Sequence, residues 1–183
     1  MLDVRKTALP GVLEIVPRRL GDDRGFFSEV WNAASWTQAG LDYAFVQDNH
    51  SRSGQGVLRG LHYQLPPSAQ AKLVRVVRGR VFDVAVDIRR SSPGFGKWVG
   101  LELSEEGWNQ LLIPAGFAHG YLALEPGSEV FYKVTAPYDP ERERTIRPDD
   151  PAIGITWPLA PEQWLRSAKD QASPLLKDAE LFA

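Results

Sequence analysis

The chain has 183 residues, the size of one domain, enough to bury roughly 70% of its unfolded surface around a single core. Hydrophobic residues make up 43% and charged residues 24%, and the formal net charge is -2, so bulk charge draws the chain neither to nucleic acid nor to a membrane. Without cysteine there are no disulfides or thiolate metal sites, and no run reaches the roughly 18 apolar residues of a membrane helix or forms a signal peptide, so a cytoplasmic protein is expected.

In chain order, short β-rich runs punctuated by Gly and Pro predict strands over 12–16, 26–31, 44–49, 57–64, 72–78, 80–88, 97–103, 110–113, 120–124 and 129–135. Between the second and third, Asn32 as N-cap and Gly40 as a stop predict one short helix. After Pro161, the helical spacing of Gln163, Trp164, Leu165 and Ala168 predicts another. Many short strands in two layers predict an all-β jelly roll with short flanking helices, one domain over 1–183. Such folds leave sheet edges to cover, and the strands before residue 31 are candidates to pair with a second chain.

Two of the three histidines lie in glycine-marked stretches: His62 in Gly56-Val57-Leu58-Arg59-Gly60-Leu61-His62-Tyr63-Gln64 and His119 in Ile113-Pro114-Ala115-Gly116-Phe117-Ala118-His119-Gly120. Histidine exchanges a proton near neutral pH without a large pKa shift. Arg59, Tyr63 and Lys72 place further polar groups near His62 in an apolar setting, the usual form of a small-ligand site, although a strand histidine also fits a packed structural role. Strand alternation puts Arg59 and His62 on opposite faces, so the two share a pocket only if Gly60 marks a bulge; otherwise Arg59 reaches a ligand from the rim. Val130, Tyr132 and Val134 share a face, where Tyr132 is either a core residue or a proton donor. No Walker or Rossmann glycine loop occurs, and no His-x-His metal pair, so metal-free operation is expected.

The Pro-x-Gly-x-x-His pattern resembles half of the cupin signature. Together with Asp23-Arg24-Gly25-Phe26-Phe27, Gln47-Asp48-Asn49-His50-Ser51, Lys72-Leu73-Val74, Phe82-Asp83-Val84-Ala85-Val86-Asp87, Tyr132-Lys133 and Lys169-Asp170, it resembles the dTDP-4-dehydrorhamnose 3,5-epimerase family from about Gly11 to Leu176. The resemblance implies a cupin-like jelly roll (double-stranded β-helix) that epimerises C3 and C5 of dTDP-4-dehydro-6-deoxy-D-glucose on the way to L-rhamnose, without a cofactor. It implies His62 as base, oriented by Asp170, Tyr132 as acid on the opposite face and Lys72 as the cation that stabilises the enolate. Arg24, Arg59 and His119 then suit the diphosphate. Gln47, Asn49 and Glu29 suit sugar hydroxyls or a base edge, Tyr138 stacks on thymine, and Glu143 and Lys169 complete the substrate contacts. The family implies a homodimer whose N-terminal strands cross over, so that Arg24 and Glu29 serve the neighbour's site. Alternatives are an enzyme that inverts one carbon or isomerises the keto group, a metal-dependent cupin oxygenase, and a non-catalytic sugar-nucleotide-binding jelly roll.

Overall fold

Alternation of side chains gives every strand two faces, and in the computed structural model, which describes residues 2–183, those faces build two antiparallel sheets packed on each other. In chain order the strands are β1 (Asp3–Lys6), β2 (Leu13–Val16), β3 (Leu20–Asp22), β4 (Gly25–Phe27), β5 (Gln47–Ser53), β6 (Leu58–Gln64) and β7 (Lys72–Arg78). They continue as β8 (Arg80–Asp87), β9 (Trp98–Ser104), β10 (Gln110–Ile113), β11 (Phe117–Ala123), β12 (Ser128–Val134) and β13 (Glu143–Thr145). One sheet has the order β1-β2-β10-β7-β12-β5 and the other β13-β6-β11-β8-β9, the two walls of a cupin-like jelly roll. A separate hairpin, β3-β4, pairs with neither.

Three apolar layers follow from this pairing. Between the sheets, Val74, Val76, Val81, Ala85, Leu103, Leu111, Ile113 and Val130 fill the interior. The outer face of the five-stranded sheet carries Leu58, Leu61, Val84, Val86 and Leu122, covered by Ile146, Ile153, Trp157 and Leu176 of the C-terminal segment. The outer face of the six-stranded sheet buries Ile15, Leu73 and Leu112 under Trp36 and Leu41. Trp36 belongs to α1 (Ala33–Gln38), whose N-cap Asn32 accepts a hydrogen bond from the Ser35 amide and whose chain turns out through Gly40 at φ +76°, as its sequence predicts.

The second predicted helix does not form as one piece. A single 3-10 turn spans Pro161–Gln163, and Trp164 is already extended. Leu165 instead pairs beside β6: its amide donates to the Gly56 carbonyl at 2.8 Å and its carbonyl accepts from Leu58 at 3.0 Å. The open strand end pairs both the N–H and the C=O of Leu165, which competes with a helix there. Only Ala168–Gln171 closes into a turn of helix, α2, capped by Ser167. The predicted strand 26–31 is likewise shorter. It ends at Phe27, where Trp108 gathers the departing chain: its indole N–H donates to Ser28 Oγ at 2.9 Å and its ring meets Phe26 edge-on.

Candidate active site

The polar residues of the interior collect at one end of the space between the sheets. β6 places them through an irregularity at Gly60. Arg59 opposes Tyr121 and His62 opposes His119, so β6 carries one residue more than β11 over that interval, and Arg59 and His62 come to the same face. Gly60 takes φ +120°, and a Cβ there would lie 2.6 Å from the Gly120 Cα and 2.8 Å from the His119 carbonyl oxygen. The bulge on which a shared face for Arg59 and His62 depends is therefore present, and only glycine fits it.

His62 lines a cleft with Gln47, Asn49, Gln64, Lys72, Tyr132, Tyr138 and Glu143. Its Nε2 donates to Asp170 Oδ1 at 2.7 Å, leaving Nδ1 as the basic nitrogen. Asp170 sits on α2, is 3% exposed, and takes a second hydrogen bond from Ser167 Oγ at 2.9 Å. Burial pushes this carboxyl up, but the hydrogen bonds from His62 and Ser167 and the nearby Lys169 charge outweigh it, and its pKa lies below the usual aspartate value.

Lys72 follows His62 in the next strand of the sequence but belongs to the opposite sheet, so it faces His62 across the cleft instead of standing beside it. It is buried, and Nζ reaches the His62 carbonyl oxygen at 3.5 Å. Burial lowers its pKa to about 8, against the opposing charges of Asp83 and Glu143. Tyr132 also comes from the six-stranded sheet, on the inward row Val130, Tyr132, Val134, and burial raises its pKa.

The rim is one connected set. Gln47 donates to Asn49 Oδ1 at 2.9 Å and accepts from the Tyr138 amide at 2.9 Å. Tyr138 donates its hydroxyl to Glu143 at 2.8 Å, and Lys169 donates to the same oxygen. These two hydrogen bonds hold the Glu143 pKa low although burial opposes them. Tyr138 is 56% exposed, its ring open to a planar partner.

Arg59 lies on the other side of His62, in a second cleft shared with Arg166, Lys169 and Asp170. His119 is set deeper: it is buried, and its Nε2 donates to both oxygens of Asp83 at 2.9 and 3.0 Å. Burial lowers the His119 pKa, with Asp83 opposing, so a neutral imidazole donates to the carboxylate. Arg24 and Glu29 do not enter the cleft of their own chain. Arg24 is at the tip of the β3-β4 hairpin, paired with Asp22 at 2.6 Å and almost fully exposed, and Glu29 accepts from Asn32 at 3.1 Å.

Two polar residues gain importance that their types alone did not reveal. Asp83 is fully buried and supplies the negative charge between His119 and Lys72. Its signal in the sequence is an aspartate on the inward row Val81, Asp83, Ala85 of an apolar strand. Gln64, also buried, accepts from the Asp139 amide and donates to the Pro137 carbonyl, fixing the loop that carries Tyr138.

The sequence profile of the dTDP-4-dehydrorhamnose 3,5-epimerase family matches residues 6–178. The chain is 52% identical over 182 residues to the enzyme of that name from Salmonella typhimurium, covering 99% of each chain. It is 52% identical over 178 residues to that of Pseudomonas aeruginosa, covering 97% of each. The crystal structure of the epimerase from Legionella pneumophila in complex with dTDP-4-keto-L-rhamnose superimposes with a TM-score of 0.93 at 47% identity, covering 97% of this chain and 94% of the other. With this match along its whole length, the chain belongs to the dTDP-4-dehydrorhamnose 3,5-epimerase family of isomerases.

Proposed function

We propose that this protein inverts C3 and C5 of dTDP-4-dehydro-6-deoxy-D-glucose, giving dTDP-4-dehydro-L-rhamnose, with no metal or organic cofactor. The observation that carries the reading is that a histidine paired with a buried aspartate and a tyrosine enter one cleft from opposite sheets, with a buried lysine lining the same cleft. The C4 ketone acidifies the flanking C–H bonds. His62 Nδ1 takes the proton, the C–H electron pair moves into an enolate, and Lys72 stabilises the charge on O4. Tyr132 returns a proton to the opposite face, inverting the carbon, and the sequence repeats at the second position. Asp170 keeps the imidazole in the tautomer that leaves Nδ1 free and stabilises the imidazolium once it forms.

The dTDP moiety spans the rim: Tyr138 stacks on thymine, Gln47, Asn49, Glu143 and Lys169 take polar edges, and Arg59 with His119 serves the diphosphate. A cytoplasmic homodimer completes the site. One of the two edge strands of the six-stranded sheet is β5, which carries Gln47 and Asn49, while the hairpin exposes Leu20, Phe26 and Phe27 at 50%, 56% and 70%. The hairpin covering the neighbour's edge would bring Arg24 and Glu29 to its cleft.

The test is proton exchange in D2O. His62→Ala abolishes exchange of substrate C–H with solvent, because no enolate forms. Tyr132→Phe still permits exchange while inverted product falls by roughly 10²–10⁴-fold, the range for losing a general acid. Product NMR counts the inverted carbons. Wild-type inversion in Tyr132→Phe removes the two-residue mechanism.

A further inference from the structure

Several arginines of this chain are held by carboxylates: Arg80 by Glu102, Arg89 by Asp87 and Arg147 by Asp149. Arg59 is held differently. Its Nε donates to Ser53 Oγ at 3.2 Å and its Nη2 to the Arg52 carbonyl at 3.4 Å, and among the described residues no carboxylate pairs with it. Both anchors are neutral. A carboxylate would fix the guanidinium as firmly but would offset the charge that an anion has to meet, whereas a hydroxyl and a carbonyl hold the group and leave its charge whole.

The planar group is divided between protein and cleft. Nε–H and one N–H of Nη2 lie along the same edge, and that edge is taken by Ser53 and Arg52. The end of the fork, Nη1 with the second N–H of Nη2, is left for a ligand, on an exposed residue that lines its cleft with His62, Lys169 and Asp170. The anchor itself is rigid. Ser53 is 3% exposed, and its hydroxyl is also hydrogen-bonded to the Tyr121 hydroxyl at 3.2 Å, which in turn meets Ser51 Oγ at 2.9 Å. Ser53 belongs to the six-stranded sheet and Arg59 and Tyr121 to the five-stranded one, so both walls of the barrel build the socket. A long exposed arginine samples many rotamers, and a socket that selects one of them before the ligand arrives removes part of the entropy cost of binding.

We propose that Ser53 is a positioning residue for substrate binding: a neutral socket, backed by Tyr121, that aims the end of the Arg59 fork at the diphosphate. The inference rests on Arg59 being a diphosphate ligand. In that reading thymine sits in the other cleft, at Tyr138, which Arg59 does not line. Loosening Arg59 therefore weakens the hold on the diphosphate and spares the nucleoside. The diphosphate is unchanged during the proton transfers, so the loss is equal in ground and transition states and falls on KM, not on kcat.

The readout is the ratio of the inhibition constants of dTDP and thymidine, each competing with the dTDP-4-keto sugar on the full-length protein. An inhibition constant does not depend on the fraction of protein that is folded, so a stability loss does not imitate the effect. Ser53→Ala should raise the ratio about fivefold or more, the change expected from losing roughly one hydrogen bond's worth of placement, and KM should rise with it. Arg59→Ala should raise it further, and adding Ser53→Ala to Arg59→Ala should change nothing more, because no guanidinium is left to aim. An unchanged ratio in Ser53→Ala overturns the proposal, as does a full further loss in the double variant, which would put the hydroxyl on the ligand itself. Arg59→Ala alone separates the two levels: if it keeps the wild-type ratio, the assignment of Arg59 to the diphosphate fails, and if it raises the ratio while Ser53→Ala matches wild type, only the role of Ser53 fails.

Discussion

Lys72 shows how one residue's surroundings set a working pH. Burial lowers its pKa to about 8, so the ammonium that would stabilise the enolate is lost as pH rises through that value. The expected outcome is an alkaline limb near pH 8 in kcat/KM, which reports the free enzyme, and a flat profile there, at much lower activity, in Lys72→Met. The same shift bears on stability with the opposite sense. Between about 8 and 10.5 the unfolded chain binds the proton that the folded chain has released, so the penalty of burying this charge is complete below that window and fades as pH rises through it. At this scale the sequence was informative where residue type limits chemistry. His62 was conspicuous as one of three histidines beside further polar groups, whereas Lys72 and Tyr132 read equally as a surface lysine and a core tyrosine until the family resemblance singled them out; the structure brings all three to one cleft. Asp83 was not legible, because its importance comes from two partners on other strands, His119 and Lys72, whose convergence no local spacing encodes.

Among the elements, the Gly60 bulge decides whether β6 presents a site at all. Replacing Gly60 with Ala puts a methyl group against the Gly120 Cα in a backbone conformation that L residues avoid, so the strand must shift by the residue that the bulge accommodates. The expected cost is on the order of 2–4 kcal/mol in denaturant unfolding, with activity lost even in the folded fraction because Arg59 or His62 leaves the inner face. That a shared face for Arg59 and His62 would need a bulge at Gly60 could be read before the fold was known, since period-two alternation puts the two on opposite faces, although Arg59 reaching from the rim fitted the sequence as well. Apolar strands were also legible: β7 and β10 have the predicted limits of 72–78 and 110–113. The strands β1, β3 and β13 were not, since Asp3–Lys6 and Glu143–Thr145 are polar and owe their extension to a neighbour's edge, not to their own pattern. The same competition broke the second helix, where the free backbone next to Gly56 and Leu58 captured Leu165.

For the whole molecule, the hairpin that carries Arg24 makes the quaternary state part of the chemistry. If its partner's cleft is where Arg24 acts, then Arg24→Ala and His62→Ala, each nearly inactive alone, regain activity when unfolded together and refolded, because a mixed dimer contains one cleft with neither lesion. Restored turnover in the mixture is the expected result, and its absence, with a monomer in sedimentation at micromolar concentration, counts against the dimer.

His62 and Tyr132 come from different sheets, β6 from the five-stranded one and β12 from the six-stranded one. No backbone segment of the cleft sets the gap between them. It is set by the thickness of the filling between the walls, by Val74, Val76, Val81, Leu111 and Val130. Protein interiors are packed nearly as densely as crystals, so this filling behaves as a spacer of fixed gauge. Trimming a valine far from any polar group would let the walls settle together by a fraction of an ångström and change the distance from base to acid, so the hydrocarbon at the closed end of the barrel acts as a caliper for the proton transfers at its mouth.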